Sequence, residues 1–305
     1  MSEPKSRRIP KPFWFGILAV VMLVLWVFLA VWFPYHREQV AIREIEKLGG
    51  EVSIDSDVPE WFMASPEWLQ ELVDDEWLSC FDRVNVVYCS KTNMSDEGMR
   101  YLSGLTNLKG LDLENTEVGD EGIKYLSSLT DLRELELSST QVSDEGLKHL
   151  SGLTNLNRLK LVNTQVGDEG MRHLSGLTNL KVLVLRFTHV SDEGVKHLSG
   201  LTNLIELELS NTQVSGEGLK YLIALTNLES LKIYNTQFSD EGLQHLSGLT
   251  NLERLELDNT QVSNEGLQLL SGMTNLNYLD LRYTQVSDEG VKELRKVLPD
   301  CEIDY

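Results

Sequence analysis

Four of the six histidines share one register: His149, His173 and His197 stand 24 residues apart, and His245 lies 48 beyond His197. Imidazoles stacked at such a spacing can share a divalent cation, because a neutral ring nitrogen is a good ligand for zinc and its neighbours. Other copies of the register hold Tyr101, Tyr125 and Tyr221. A position that exchanges His for Tyr is a packing position, so no metal site and no other cofactor is expected. Asp-Glu-Gly also recurs, as in Asp144-Glu145-Gly146, and paired carboxylates are the material of acid–base catalysis. Adjacent helical residues point in different directions, however, and the triplet returns in nearly every copy, so it reads as a structural cap.

The three cysteines, Cys80, Cys89 and Cys301, form no Cys-x-x-Cys metal spacing. Cys89 falls on a core position and Cys301 lies at the far end. Cys80 and Cys89 are the one plausible pair if the compartment is oxidising. There is no Gly-rich phosphate loop and no nucleophile elbow, so no enzyme is expected. Asn93-Met94-Ser95 matches a glycosylation acceptor, a triplet common by chance.

These residues are carried by a pattern with a period of 24. LTDL at Leu129 is followed by LTNL at Leu153, Leu177, Leu201, Leu225 and Leu249 and by MTNL at Met273, without insertion or deletion. One period earlier, Val84, Val87 and Cys89 occupy the leucine positions; one period later, only Ile303 and Tyr305 fall on inward positions. The array is nine units and a partial tenth strand. Leu108, Leu111, Leu113, Thr116 and Val118 spell L-x-x-L-x-L-x-x-T-x-V. That pattern resembles the leucine-rich repeat family, with Thr in place of the usual Asn or Cys. A single hydroxyl there implies that the hydrogen bonding between turns is weaker or differently wired.

Leu-x-Leu alternation puts two side chains on one face of a short strand. Ser143 to Leu150 reads as a two-turn helix, capped by Ser or Asp, with its acidic pair at the positive end of the helix dipole. One such unit cannot bury enough apolar surface to hold itself together, whereas stacked units cover each other's open faces. The expected fold is therefore α/β, a right-handed leucine-rich-repeat solenoid with parallel strands on the concave face and short helices on the convex face.

The remainder divides into a basic tail (residues 1–12), an apolar run (13–33) and a cap segment (34–83) that precedes the solenoid (84–305). The run has no charge and no proline, and at 1.5 Å per residue it spans about 31 Å, enough for one transmembrane helix. Lys5, Arg7, Arg8 and Lys11 place the N-terminus in the cytoplasm and the repeats outside the inner membrane. No small-x-small cleavage site follows the run. Val40, Ile42, Ile45 and Leu48 predict an amphipathic helix ended by Gly49-Gly50, and Glu51 to Asp55 a short strand. The aromatic stretch from Trp61 to Phe81 is expected to cover the first coil. Ile45 to Gly50 and Pro66 to Leu69 resemble segments of bacterial envelope proteins that join one N-terminal anchor to 24-residue repeats, which implies the same architecture.

The net charge of −20 argues against nucleic acid as a partner. Outward positions of the strands are free of packing constraints, and most alternate in charge. The fifth unit differs. Val182 and Val184, beside Val162 of the preceding strand, give apolar surface, while Arg186, Phe187 and His189 stand where other copies mostly have Ser, Asn and Gln. With Tyr234 these form the candidate partner-binding site, a composition that favours a protein or peptide ligand. A structural envelope spacer without a specific ligand is the alternative. The repeats are also similar to those of adaptors that present substrates for ubiquitination, but no F-box-like segment is present.

Overall fold

The computed structural model describes residues 32–56, 64 and 82–305, together with Leu18, Val21, Met22, Leu25, Trp26 and Leu29. Most of the apolar run 13–33, nearly all of the aromatic stretch and Cys80 lie outside the described residues. No helix among the described residues is long and apolar enough to cross a membrane.

Helix α1 (Phe33–Lys47) carries Pro in its first turn, where the missing N–H leaves no bond unmade. It ends in a Schellman turn. Gly49 takes φ +92°, its N–H donates to the Glu46 carbonyl at 3.0 Å, and the Gly50 N–H donates to the Ile45 carbonyl at 2.9 Å. Gly50 is required for another reason: a Cβ there would lie 2.7 Å from both Cys89 Sγ and Ile45 Cγ2. The inward stripe of α1 is Glu38, Ala41 and Ile45. Val40, expected inside, is exposed, because the stripe that meets the first coil runs one position later. Burial raises the Glu38 carboxyl above its ordinary value, opposed by Arg83 and by the Val84 N–H that donates to it at 3.4 Å.

Strand β1 (Glu51–Ser56) pairs antiparallel with β2 (Asp82–Tyr88) and covers that edge of the sheet. From β2 onward every neighbour is parallel and in sequence order, giving one eleven-stranded sheet. The strands β3 (Gly110–Asp112), β4 (Glu134–Glu136), β5 (Arg158–Lys160), β6 (Val182–Val184) and β7 (Glu206–Glu208) are three residues each. So are β8 (Ser230–Lys232), β9 (Arg254–Glu256), β10 (Tyr278–Asp280) and β11 (Glu302–Asp304). The middle residue of each points into one core that runs from Ala41 to Ile303. Cys89 and Cys301 are both buried in it. Ile303 is buried as expected, but Tyr305 is exposed.

Asp168–Leu174 is the expected two-turn α-helix, but most of the other helical segments tighten after one turn. Asp144–Leu147 is one α turn, and Lys148–Leu150 continues as 3-10. The acidic pair has divided duties. The Glu145 N–H donates to the Ser143 hydroxyl, while the Asp reaches into the next turn. Asp96, Asp120, Asp144, Asp168, Asp192 and Asp240 accept the N–H of the residue 23 positions on at 2.7–2.8 Å. Where that residue is Ser, its hydroxyl donates to the second carboxylate oxygen at 2.6–2.7 Å. The Gly of the triplet makes room for this contact: a Cβ on Gly122, Gly146, Gly170 or Gly194 would lie 2.5 Å from the preceding Asp Oδ1.

Threonine is indeed wired differently. Its hydroxyl donates to the carbonyl three residues earlier, as from Thr116 to Leu113 at 2.7 Å and Thr188 to Leu185 at 2.6 Å, closing a turn within its own unit. Contact between units passes instead through the Asn of LTNL, whose amide donates to the Thr carbonyl 25 residues earlier. Asn155, Asn179, Asn203, Asn227, Asn251 and Asn275 form these rungs at 2.8–2.9 Å. Asp131, in LTDL, has no amide to donate.

One rung of the aspartate ladder is also absent, because Gly216 stands where Asp is usual. The segment Gly216–Tyr221 is wholly 3-10. A Cβ at Gly216 would lie 2.7 Å from the Gly242 Cα. The Phe238 ring, which replaces the usual Val, is fully buried against Gly242. Gly216→Asp alone is therefore expected to destabilise the chain by about 1–3 kcal/mol through overpacking. In a Phe238→Val background it should instead restore a rung, giving a favourable coupling of about 1 kcal/mol or more in a double-mutant cycle. Urea denaturation of the four proteins measures this; additive effects would show that the two positions do not share space.

Candidate partner-binding face

The first and third residues of each strand point away from the core. Their charges pair along the sheet as the alternation predicts in part. Lys160 meets Glu136 at 2.9 Å, and Lys232 meets Glu206 at 2.8 Å and Glu208 at 4.0 Å. Arg254 turns back to Glu256 of its own strand at 2.6 Å. Glu134 and Arg158 are in register but close no ion pair among the described residues.

Val162 of the fourth unit and Val182 and Arg186 of the fifth are half-buried. Val184 is not the exposed surface expected. It is only 7% exposed, although it lies outside the main core. The longer residues Lys160 and Glu208 flank it in register and shield it. A charge at Val184 would be buried, so Val184→Asp is no clean probe of binding. Phe187 is 46% exposed, and His189 is exposed beside Gly167 of the preceding turn.

Arg186, Phe187 and Tyr234 do come together. The Arg186 guanidinium carbon is 4.7 Å from the Phe187 ring centroid and 5.6 Å from that of Tyr234. Tyr234 is two turns beyond Arg186, and the residue between them in that column is Ser210, fully buried. The small side chain of Ser210 lets the guanidinium reach across a whole turn. Glu208, also buried, accepts from the Tyr234 hydroxyl at 3.3 Å. Three polar atoms of this patch have no hydrogen-bond partner: Arg186 Nε, Ser210 Oγ and Ser230 Oγ. Such atoms are uncommon in a relaxed surface.

Glu208, Ser210, Ser230 and Lys232 were not among the site residues expected. Their signal was available in the interruption of charge alternation at Ser210 and Ser230, but its meaning needs the stacking of three turns. Burial pushes the Glu208 carboxyl above its ordinary value of 4.5, opposed by Lys232, Arg186 and the Tyr234 hydroxyl. Burial and Glu208 likewise raise the Tyr234 phenol.

The backbone singles out Phe187 further. The residue before the turn-closing Thr of each unit has positive φ, and five of these residues are Asn: Asn115, Asn163, Asn211, Asn235 and Asn259. Asn tolerates the left-handed region, whereas bulky residues do not. Phe187 nevertheless holds φ +57° and Tyr283 φ +58°. Among the described residues, no group of three or more His, Cys, Asp or Glu could hold a metal ion. The patch offers recognition chemistry: a stacked cation, an exposed ring and unpaired donors.

Tyr283→Asn is expected to raise stability by about 1 kcal/mol through relief of the left-handed backbone. Phe187→Asn should raise it less, since stacking on Arg186 worth about 0.5–1 kcal/mol is lost with the ring; equal gains would remove the stacking from the account. For Glu208 the folded state favours the protonated acid. Its contribution is therefore full below 4.5 and is lost as pH rises through the higher folded value. Glu208→Gln should gain stability over wild type as pH rises from 4 to 7, followed by urea midpoints, and a constant difference would contradict this.

The chain matches the model of the leucine-rich repeat region over residues 102–297. It is similar to internalin C2 of Listeria monocytogenes strain 4b F2365, with 29% identity and TM-score 0.56 over 70% of this chain and 84% of that one. It is similar also to an internalin, inlF, of the same strain, at 22% identity and TM-score 0.44 over 81% and 86%. A structure described as a TDR receptor matches at 20% identity and TM-score 0.52 over 72% and 38%, a likeness of fold alone. No curated protein matches. With the family match laid over turns that share one core and one parallel sheet, the chain belongs to the leucine-rich repeat family.

Proposed function

We propose that this is a non-enzymatic, membrane-anchored binding protein that takes a protein or peptide partner on the concave, strand-bearing face of repeats five to seven. The observation that carries the reading is Phe187, an exposed ring held in backbone that disfavours it and stacked on a half-buried arginine. Strain retained at an exposed aromatic is understandable where the ring meets something else. Arg and aromatic residues dominate binding hot spots, and a partner can supply what the solenoid leaves unpaired around Arg186 and Ser210. Val162, Val182 and Tyr234 supply the apolar surround, and His189 lies at its rim.

Residues 13–33 are the proposed anchor. Of the described positions in that run, Leu18, Met22, Leu25 and Leu29 follow helical spacing on one face and are all exposed, as suits side chains that face lipid. The basic tail keeps the N-terminus in the cytoplasm and sets the repeats outside the inner membrane. Protease added to spheroplasts is then expected to digest the repeats and spare residues 1–12. Protection of the C-terminus would reverse the orientation.

The binding role is tested with the full-length chain in non-ionic detergent, used to capture partners from native envelope extract. Wild type and Tyr283→Asn should retain one protein that Phe187→Asn loses by roughly tenfold or more. Equal retention by all three would move the site away from repeat five. Retention of nothing would favour a structural spacer.

A further inference from the structure

Helix α1 starts without a break in geometry, since Trp32 before it already has helical angles of φ −66° and ψ −41°. At 1.5 Å per residue, Arg37 stands about 6 Å beyond Phe33 along the helix. The headgroup layer is roughly 5–8 Å deep on each side of the hydrocarbon. On the anchor reading, His36 and Arg37 therefore lie at the level of the lipid phosphates. The flanking aromatics suit that level, where Trp is the favoured residue. Trp32 and Phe33 are both exposed. Trp32 stacks on His36 with ring centroids 5.1 Å apart, and the Arg37 guanidinium lies 5.9 Å from the Phe33 ring centroid.

At this height α1 and the first repeat form a niche of about 210 Å³, lined chiefly by His36, Arg37, Val40, Arg100, Tyr101 and Ser103. Two of the lining residues are arginines and none is a carboxylate. Glu38 turns instead to Arg83 at 3.9 Å, and Glu44 to Lys47 at 2.5 Å. Glu97 acts on Arg100 at longer range and closes no ion pair with it among the described residues. Packing positions both arginines. The Arg37 guanidinium lies over Gly104, where a Cβ would come within 2.8 Å of its Nη2. Arg100 stacks on the Tyr101 ring at 4.7 Å and donates to the Tyr101 hydroxyl at 2.7 Å. That hydroxyl keeps its own hydrogen to give. The Ser103 hydroxyl closes the turn on the Arg100 carbonyl at 2.9 Å. Val40, exposed against expectation, supplies an apolar wall.

We propose that this niche binds the phosphate of an anionic lipid in the outer leaflet, an inference that rests on the anchor and orientation proposed above. Arg37 and Arg100 grip the phosphate oxygens, which suit the two-pronged guanidinium. Tyr101 donates a further bond, and Val40, one turn farther out, lies against the carbons of a glycerol headgroup. The niche is smaller than the roughly 300–1,000 Å³ of metabolite pockets, which enclose most of their ligand. A lipid needs only its headgroup enclosed, because the bilayer holds the rest. Charge alone does not select it, since a chain of net charge −20 is repelled as a whole by an anionic surface. The depth of the niche is what selects a lipid over a soluble anion or an acidic peptide.

Native mass spectrometry of the full-length chain, released from non-ionic detergent, counts bound lipids. Phosphatidylglycerol should bind at least roughly tenfold tighter than phosphatidylcholine, whose phosphate carries a compensating ammonium. Arg37→Gln/Arg100→Gln, with an unchanged circular dichroism spectrum, should lose that preference. Arg43→Gln, exposed on α1 but outside the niche, should keep it, as should Phe187→Asn. The anchor is read separately, by flotation on vesicles of phosphatidylcholine alone, where wild type and double variant should rise alike. Failure of the wild type to float would remove the anchor and this site with it, whereas flotation without a lipid preference would overturn the site alone. A preference kept by the double variant would do the same. So would an equal loss in Arg43→Gln, the mark of diffuse charge, or displacement of the lipid by glycerol phosphate at equal concentration, the mark of a soluble ligand.

Discussion

Every turn of this solenoid is completed by atoms 23 to 25 residues away. The aspartate of one unit receives the N–H that starts the helical segment of the next, and the asparagine of one unit donates to the threonine carbonyl of the one before. A unit alone would leave these groups to water and its leucines exposed. Stacking is thus required by hydrogen bonding as well as by apolar burial, and neither term acts over more than one neighbour. The glycine that follows each Asp-Glu pair is the steric complement of the same contact, since only hydrogen fits beneath the preceding carboxylate. Aspartate and glycine positions in successive turns are in effect one feature.

That arrangement divides the sequence cleanly. Inward leucines, the threonine that closes each turn and the two ladder residues are fixed by neighbours above and below. Outward strand residues answer only to charge and to whatever they meet. Departures from repetition on that face therefore carry information that departures inside do not. Inside, a change needs compensation, as where the buried Phe238 stands beside the rung missing at Gly216. Outside, Phe187 leaves a strained ring, with no need of a matching change.

The period, the strand positions and nearly all of the core were legible because burial in a stack follows register alone. What was not legible depended on distance across turns. Val184 looked exposed because its face was known; its shielding comes from Lys160 and Glu208, one strand away on either side. The reach of Arg186 to Tyr234 spans 48 residues and makes sense only once Ser210 is seen between them. Helix α1 was placed correctly, but Glu38 on its inner face was missed, since an acidic residue is seldom expected to pack and this one is held by Arg83 and a backbone N–H. The column of Asn before Thr could have disclosed the left-handed turn, and with it the oddity of Phe187.

The two kinds of departure meet in the same turns. Repeats five to seven hold the strained Phe187, the unpaired Ser210 and Ser230 on the strand side, and Gly216 with Phe238 on the helical side. A stack whose stability is a sum over neighbours can carry weak turns at its centre, where intact units hold both flanks, more readily than at an end. The central position also places the patch where a partner lying along the sheet would contact it whichever end it approached from. Its buried glutamate, whose carboxyl burial pushes above the ordinary value, and its unmatched donors mean that these turns are less than optimal for the isolated solenoid. On the proposed reading, the groups that would complete this surface belong to another molecule.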